Sequence, residues 1–331
     1  MVKLNDTLRD LFRTHGEPEA KMLNPPLFIT GCMRSGTTYL VNKLASHPQL
    51  FKIGAELNQV WTDIGGAPIK GHCPHLTEED ASPFYTYQMT NYFSNYINEG
   101  KSFKRHLMRM AKKSETNLFR VKYDWDNIIP MNKSPHLMNK TRYVNALFPG
   151  AKFILIVRDI YAQSASLKFH FKKNRKIKCI TDDPYDCWSI TNKTGLKPMP
   201  DSKKCFPENF SVIPKMWMRL NKVALEEIQL LEPRQYLVLK YEDLILNQEK
   251  ELARIFNFLG LKDKYGDLEE QIKESAAKKL NTSTKGNPIN KWKTQLSKNE
   301  IQSIKNEILK EDRVYSQITQ KVSELALKKV N

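Results

Sequence analysis

Short, unbroken apolar runs alternate with stretches of helical spacing along most of this chain. Leu27-Phe28-Ile29-Thr30 follows Pro25-Pro26 and has the pattern of a strand covered on both faces. Gly31 to Gly36 reads as a turn, and Thr37 to Ser46 as a helix closed by His47-Pro48. Phe51-Lys52-Ile53 is a second short strand, and Phe119 to Tyr123 another. The clearest strand is Lys152 to Val157, which starts after the turn Phe148-Pro149-Gly150; a helix is expected beyond Asp159. Pro214 to Leu231 puts Met216, Leu220, Val223, Ala224 and Ile228 on one helical face. Tyr236 to Leu239 is a strand, Gln248 to Leu259 a helix stopped by Gly260, and 297–328 a charged amphipathic helix. Two stretches lack clean periodicity. Residues 58–118 are aromatic and basic, with a helix expected from Tyr85 to Lys113; residues 172–213 are Lys-rich, then Pro- and Cys-containing.

This alternation predicts an α/β fold in three layers, a central parallel sheet flanked by helices. Residues 1–24 read as a lead-in, and 25–331 as a single domain with irregular insertions near 58–118 and 172–213. With 331 residues, 40% of them hydrophobic, the chain can bury a sizeable core. Its net charge of +17 favours an anionic partner without choosing between nucleic acid, membrane surface, phosphorylated co-substrate and acidic substrate. Met1 to Arg13 carries no signal-peptide apolar run, and nowhere is there a span of the roughly 18 apolar residues that marks a transmembrane helix. Of the cysteines, Cys32, Cys73, Cys179, Cys187 and Cys205, none forms a C-x-x-C pair, so no metal site is expected. The last three cluster, which leaves a loop disulfide open. The odd, low count points to a reducing compartment and a cytoplasmic location, with the Golgi lumen as the alternative for a chain lacking its anchor.

The segment with most chemical content is Gly31-Cys32-Met33-Arg34-Ser35-Gly36-Thr37-Thr38. It joins a predicted strand to a predicted helix, and its two glycines have the spacing of a Walker A loop. Such a loop turns backbone N–H groups toward a phosphate, and the helix N-terminus adds positive potential. The Walker lysine is replaced by Thr37, and Arg34 stands inside the loop instead. A guanidinium fork suits a compact doubly anionic group. A second anion site is expected where Val157-Arg158-Asp159 ends the strongest strand. Ligands of doubly wound sheets bind beyond the carboxyl ends of the strands, and Ser166 lies two helical turns after Arg158.

Together these segments resemble the sulfotransferases that use 3'-phosphoadenosine 5'-phosphosulfate (PAPS), closest to the carbohydrate and tyrosylprotein branches. The loop of those enzymes runs R-S-G-T-T before a helix and S-H-P; here the same letters are Arg34-Ser35-Gly36-Thr37-Thr38 and Ser46-His47-Pro48. The resemblance implies that the loop binds the 5'-phosphosulfate and that Arg158 and Ser166 bind the 3'-phosphate. The family usually has Pro after R-D, where this chain has Ile160. Tyr241-Glu242-Asp243-Leu244 matches the family's Y-E-D-L and reads as structural. Lys285-Gly286 and Lys291-Trp292-Lys293 loosely resemble the C-terminal segment that packs over the nucleotide, which makes Lys285, Gly286 and Trp292 candidates there.

The resemblance also implies the catalytic groups. Sulfuryl transfer, by analogy with phosphoryl transfer, needs in-line geometry and neutralisation of the charge on the leaving group. Arg34, the loop N–H groups and Lys133 of Lys133-Ser134-Pro135 are expected to stabilise the departing 5'-phosphate. Glu56 stands where the carbohydrate and tyrosylprotein branches carry their base, although Leu57 replaces the usual Pro; His136 is the competing base. The acceptor is expected to be a hydroxyl, less readily an amine, of a carbohydrate or small molecule. Lys168 to Lys178 has basic residues and His170 but no acid, which reads either as a solvated surface or as a site for an acidic acceptor. Nucleic acid is not expected as a partner. Two rival readings are a P-loop kinase, which the missing lysine opposes, and a non-enzymatic polyanion-binding module, which the net charge suggests. Neither the acceptor nor the oligomeric state follows from the residues.

Overall fold

The computed structural model describes residues 24–69, 73–101, 123–174, 176–180, 201–261, 273 and 288–327. Its first half runs β1 (Leu27–Thr30), α1 (Thr37–Leu44), β2 (Leu50–Lys52), α2 (Asn58–Asp63), α3 (Pro83–Lys101), β3 (Ile129–Lys133) and α4 (Thr141–Leu147). Then come β4 (Lys152–Val157), α5 (Ile160–Lys173), the short strands β5 (Lys178–Cys179) and β6 (Cys205–Phe206), and α6 (Val212–Ile228). The chain continues with β7 (Tyr236–Lys240), α7 (Tyr241–Leu246), α8 (Gln248–Leu259), α9 (Trp292–Gln295), α10 (Lys298–Lys310) and α11 (Asp312–Leu327).

The main sheet has the order β2-β3-β1-β4-β7, and its neighbours pair in parallel. Successive residues of a strand point to opposite faces. Phe28, Phe153, Leu155 and Val157 therefore enter one core with α3, α4, α5 and α6, while Leu27, Ile29, Ile154 and Ile156 enter another with α1 and α8. Two cores on either side of one parallel sheet are the three layers that the unbroken apolar runs predicted. Chain order reverses around β1: β2 and β3 lie on one side, β4 and β7 on the other. That reversal opens a crevice at the carboxyl ends of the strands.

The structure departs from the sequence expectations in several places. β3 is a strand that no apolar run announces, because Pro130, Asn132 and Lys133 interrupt its pattern. Pro130 is tolerated because the ladder to β1 begins only at Met131. Asn132 is fully buried, and its amide donates to the carbonyls of Ile53 and Ala55 at 2.8 and 3.0 Å. The expected single helix over 297–328 is two helices with a break at Glu311, and Ser297 and Glu300 form a capping box at the first. The insertion near 172–213 is not wholly irregular. The antiparallel pair β5–β6 is tied by a Cys179–Cys205 disulfide. Cys187, the Phe119 to Lys122 part of the expected strand, Ser102 to Lys113 of the expected helix, and residues 1–23 of the lead-in lie outside the described residues. Among the described residues no helix is long and apolar enough to cross a membrane, and no group of three His, Cys, Asp or Glu is placed to hold a metal ion.

Candidate active site

The crevice holds a cavity of about 420 Å³. Every parallel strand of the main sheet delivers residues to it from its carboxyl end: Glu56 after β2, Arg34 and Gly36 to Thr38 after β1, Lys133 and His136 at and after β3, Arg158 after β4, and Tyr241 after β7. Ser166 and His170 enter from α5, and Pro288 and Lys291 from the segment before α9. The sequence-predicted residues Arg34, Gly36, Thr37, Thr38, Glu56, Lys133, Arg158 and Ser166 thus meet in one place.

The loop after β1 depends on both glycines. Gly31 and Gly36 have φ of 151° and 108°, a region that side chains other than glycine rarely adopt. A Cβ on Gly31 would lie 2.4 Å from the Ile156 carbonyl oxygen, and one on Gly36 would lie 2.5 Å from the Tyr241 ring. Gly36 then N-caps α1, so the helix begins at the cavity wall. Arg34 is itself left-handed, with φ of 73°, and exposed. Strain of this kind is tolerated where surrounding contacts fix it. Here Arg158 Nη1 donates to the Arg34 carbonyl at 3.0 Å, and Gln163 Nε2 donates to the Met33 carbonyl at 2.9 Å. Cys32 and Ser35 are fully buried behind the loop, and burial pushes the Cys32 thiol up to about 12, so it is a packing group and not a nucleophile.

Arg34 Nε donates to Ser166 Oγ at 3.2 Å. Arg158 is buried, lies with its guanidinium 4.4 Å from the centre of the Tyr241 ring, and donates from Nη2 to the Pro288 carbonyl at 2.7 Å. Its Nε is buried with no partner among the described residues. Trp217 Nε1 donates to the Arg158 carbonyl at 2.8 Å, and the Asp159 N–H donates to Glu242 at 3.1 Å, so the end of β4 is held from two sides. The Y-E-D-L segment is therefore partly structural, through Glu242, and partly a cavity wall, through Tyr241.

Opposite this wall, Lys133 Nζ pairs with Glu56 Oε1 at 2.5 Å, and Asn58 Nδ2 reaches Glu56 Oε2 at 3.4 Å. Asn132 places this carboxylate, since its amide fixes the carbonyls of Ile53 and Ala55 just before Glu56. Burial acts to raise the Glu56 pKa, but the Lys133 charge and hydrogen bond, with His136 and Asn58, outweigh it and hold the group below the ordinary carboxylate range.

Residues 25–265, which include every strand of the main sheet, match the sequence model described as "Sulfotransferase family". The chain belongs to the sulfotransferase family. This sulfotransferase has no match among curated proteins. Solved structures similar to it include the sulfotransferase domain from the curacin biosynthetic pathway, at 17% identity over 87% of this chain and 98% of that one, with a TM-score of 0.44. Sulfotransferase STF9 from Mycobacterium avium is similar at 13% identity over 92% of this chain and 80% of that one, with a TM-score of 0.45. Retinol dehydratase, solved with androsterone and the inactive cofactor PAP, is similar at 15% identity over 92% and 84%, with a TM-score of 0.38.

Some site residues were not singled out from the sequence. Tyr241 was read only as structural within Y-E-D-L, Lys291 only as a neighbour of Trp292 and Lys176 only as one cation of a basic run, and Gln163 carries no motif; their places at the site become visible only when the strand ends meet. Trp292, a candidate for the nucleotide, does not line the cavity; it stacks on Tyr161 with ring centres 4.8 Å apart, while its neighbour Lys291 reaches the cavity. Lys285 and Gly286 lie outside the described residues.

Proposed function

We propose that this sulfotransferase moves the sulfuryl group of PAPS to a hydroxyl of a carbohydrate or small-molecule acceptor, with Glu56 as general base. The observation that carries the reading is the juxtaposition of a Lys133–Glu56 pair and the Arg34 loop in one cavity. The glycine-walled loop has room for a phosphate where any side chain would intrude, and the buried Arg158 Nε is a donor in want of an acceptor. In the proposed assignment the loop N–H groups and Arg34 face the 5'-phosphosulfate, and Arg158 with Ser166 faces the 3'-phosphate.

The acceptor oxygen attacks sulfur as Glu56 takes its proton. A new S–O bond forms, the bond from sulfur to the bridging oxygen breaks, and adenosine 3',5'-bisphosphate leaves. Lys133 keeps Glu56 ionised in the resting enzyme. When Lys133 turns to the charge growing on the leaving phosphate, Glu56 loses its cation and becomes the stronger base. One lysine thus serves both halves of the transfer. The Cys179–Cys205 disulfide favours an oxidising compartment over a cytoplasmic one for this chemistry.

The test is turnover with PAPS and a library of glycans, phenols and amines, scored by mass for a sulfuryl addition. Glu56→Gln keeps the shape and removes the basicity. Turnover should fall about 10²–10⁴-fold, with bisphosphate binding near native. A change of only a few-fold, or loss of turnover in His136→Asn instead, would overturn Glu56 as the base.

A further inference from the structure

The basic run from Lys168 to Lys178 separates into different roles once folded. Lys168 is engaged: its Nζ donates to the Gln295 carbonyl at 3.1 Å and to Glu300 at 2.6 Å, tying α5 to α10. Lys172 and Lys173 are exposed. Lys178 is buried, with its Nζ 6.0 Å from the centre of the Phe171 ring. Lys176 alone among the described lysines of the run lines the cavity, and no described carboxylate pairs with it.

His170 lines the cavity as well, one helical turn beyond Ser166 on the same face of α5. Asn174 Nδ2 contacts His170 Nδ1 at 3.3 Å and also the His170 carbonyl at 2.7 Å. An amide that donates to a carbonyl presents its NH₂ on that side, so Nδ1 is the acceptor and the ring proton sits on Nε2. Burial, Lys176 and Arg34 hold the imidazole down to about 4, against the opposing pull of Glu56. At neutral pH His170 is therefore an uncharged donor in a positive field.

Among the described residues the cavity carries Arg34, Lys133, Arg158, Lys176 and Lys291 against one carboxylate, Glu56. Lys291 belongs with Arg158 and Arg34, whose charges it feels. Lys133 is paired with Glu56. His170 and Lys176 line the same cavity as Glu56, the group that faces the acceptor in the proposed reaction, and His170 feels Arg34 as well as Glu56.

We infer that the acceptor carries an anionic group, a carboxylate or a sulfate ester, close to the hydroxyl that is sulfated, and that Lys176 and His170 bind it. This rests on the sulfotransferase reading of the same cavity. Lys176 supplies the charge and the His170 Nε2–H a hydrogen bond. Neither side chain touches the reacting atoms, so both are specificity residues. The hairpin β5–β6 sets where Lys176 stands: its disulfide starts three residues further on, and Phe206 packs on Phe171, the neighbour of His170.

The test uses the full chain saturated with adenosine 3',5'-bisphosphate, at constant ionic strength. Two matched probe pairs are titrated by calorimetry: phenyl glucuronide against phenyl glucoside, and glucose 6-sulfate against glucose. A charged hydrogen bond is worth about 1.5–3 kcal/mol, so the anionic member of at least one pair should bind roughly ten- to a hundred-fold more tightly. Lys176→Gln should remove that preference, and Lys173→Gln, on the exposed part of the run, should keep it. The His170 ring, followed by NMR, should titrate at higher pH in Lys176→Gln than in the native chain. If the bisphosphate binds and no pair shows a preference, or Lys176→Gln leaves the preference intact, this inference is overturned alone. If the bisphosphate does not bind at all, the sulfotransferase reading of the cavity falls, and this inference with it.

Discussion

Glu56 and Lys133 form a pair in which each partner sets what the other can do. A carboxylate held below its ordinary range keeps its charge as the pH falls, so Glu56, as the proposed base, stays available well into acid. The stability contributed by the pair is present above the unfolded carboxylate pKa, near 4.3, and is lost as the pH falls through the lower folded value. In the native enzyme kcat/KM should therefore be flat across neutral pH and fall only below the ordinary carboxylate range. Burial opposes the shift and becomes dominant once the cation is gone. Lys133→Met should thus move the acid limb upward, toward neutral pH, in addition to slowing the chemical step. An acid limb that stays in place in Lys133→Met would show that Glu56 is not the group being titrated. Arg34 differs from this pair, because it meets only a hydroxyl, Ser166, among the described side chains, and its guanidinium is exposed to the cavity.

The elements that hold these residues differ in how openly the sequence announces them. Strands β1, β4 and β7 are unbroken apolar runs buried on both sides, and each was legible within a residue of its ends. The loop after β1 was legible because its glycines are demanded by backbone geometry. Gly36→Ala should cost about 1–3 kcal/mol from the left-handed backbone alone. It should also displace Tyr241, and with it the ring beneath Arg158, so that bisphosphate binding weakens. Gly260→Ala is the comparison: φ there is 70°, nothing lies within 4 Å of an added Cβ, and Gly260 does not line the cavity. That variant should lower the melting temperature and leave bisphosphate affinity unchanged; equal effects of the two variants on binding would show that the Gly36–Tyr241 contact is irrelevant to the site. Strand β3 was not legible, because Pro130 and Asn132 break its pattern for reasons that lie in other strands: a ladder that starts late and a buried amide that holds the chain before Glu56. Lys176 was hidden for a similar reason. In sequence it is one lysine of a basic run, and only the hairpin and its disulfide separate it from its exposed neighbours. Arg158 and Ser166 were singled out together by their spacing and both line the cavity, although Ser166 contacts Arg34; Tyr241, expected to be structural, lies against the Arg158 guanidinium.

For the molecule as a whole, a net charge of +17 is spread over many surface lysines, and only a few cations are gathered where the sheet reverses its order. In the proposed reading that focus marks a nucleotide site, as against a general polyanion surface, whose binding would follow salt and not the pattern of phosphates. The presence of Thr37 in place of the Walker lysine, with Arg34 inside the loop, separates it from a nucleoside-triphosphate site. The most direct measurement is a calorimetric titration of the native chain and Arg158→Ala with adenosine 3',5'-bisphosphate, adenosine 5'-monophosphate and ATP. The native chain should bind the bisphosphate in preference to the other two. Arg158→Ala should weaken bisphosphate binding by roughly ten- to a hundred-fold, the loss of one charged hydrogen bond, and leave the monophosphate unaffected. ATP binding as tightly as the bisphosphate, or equal losses for bisphosphate and monophosphate in Arg158→Ala, would contradict it.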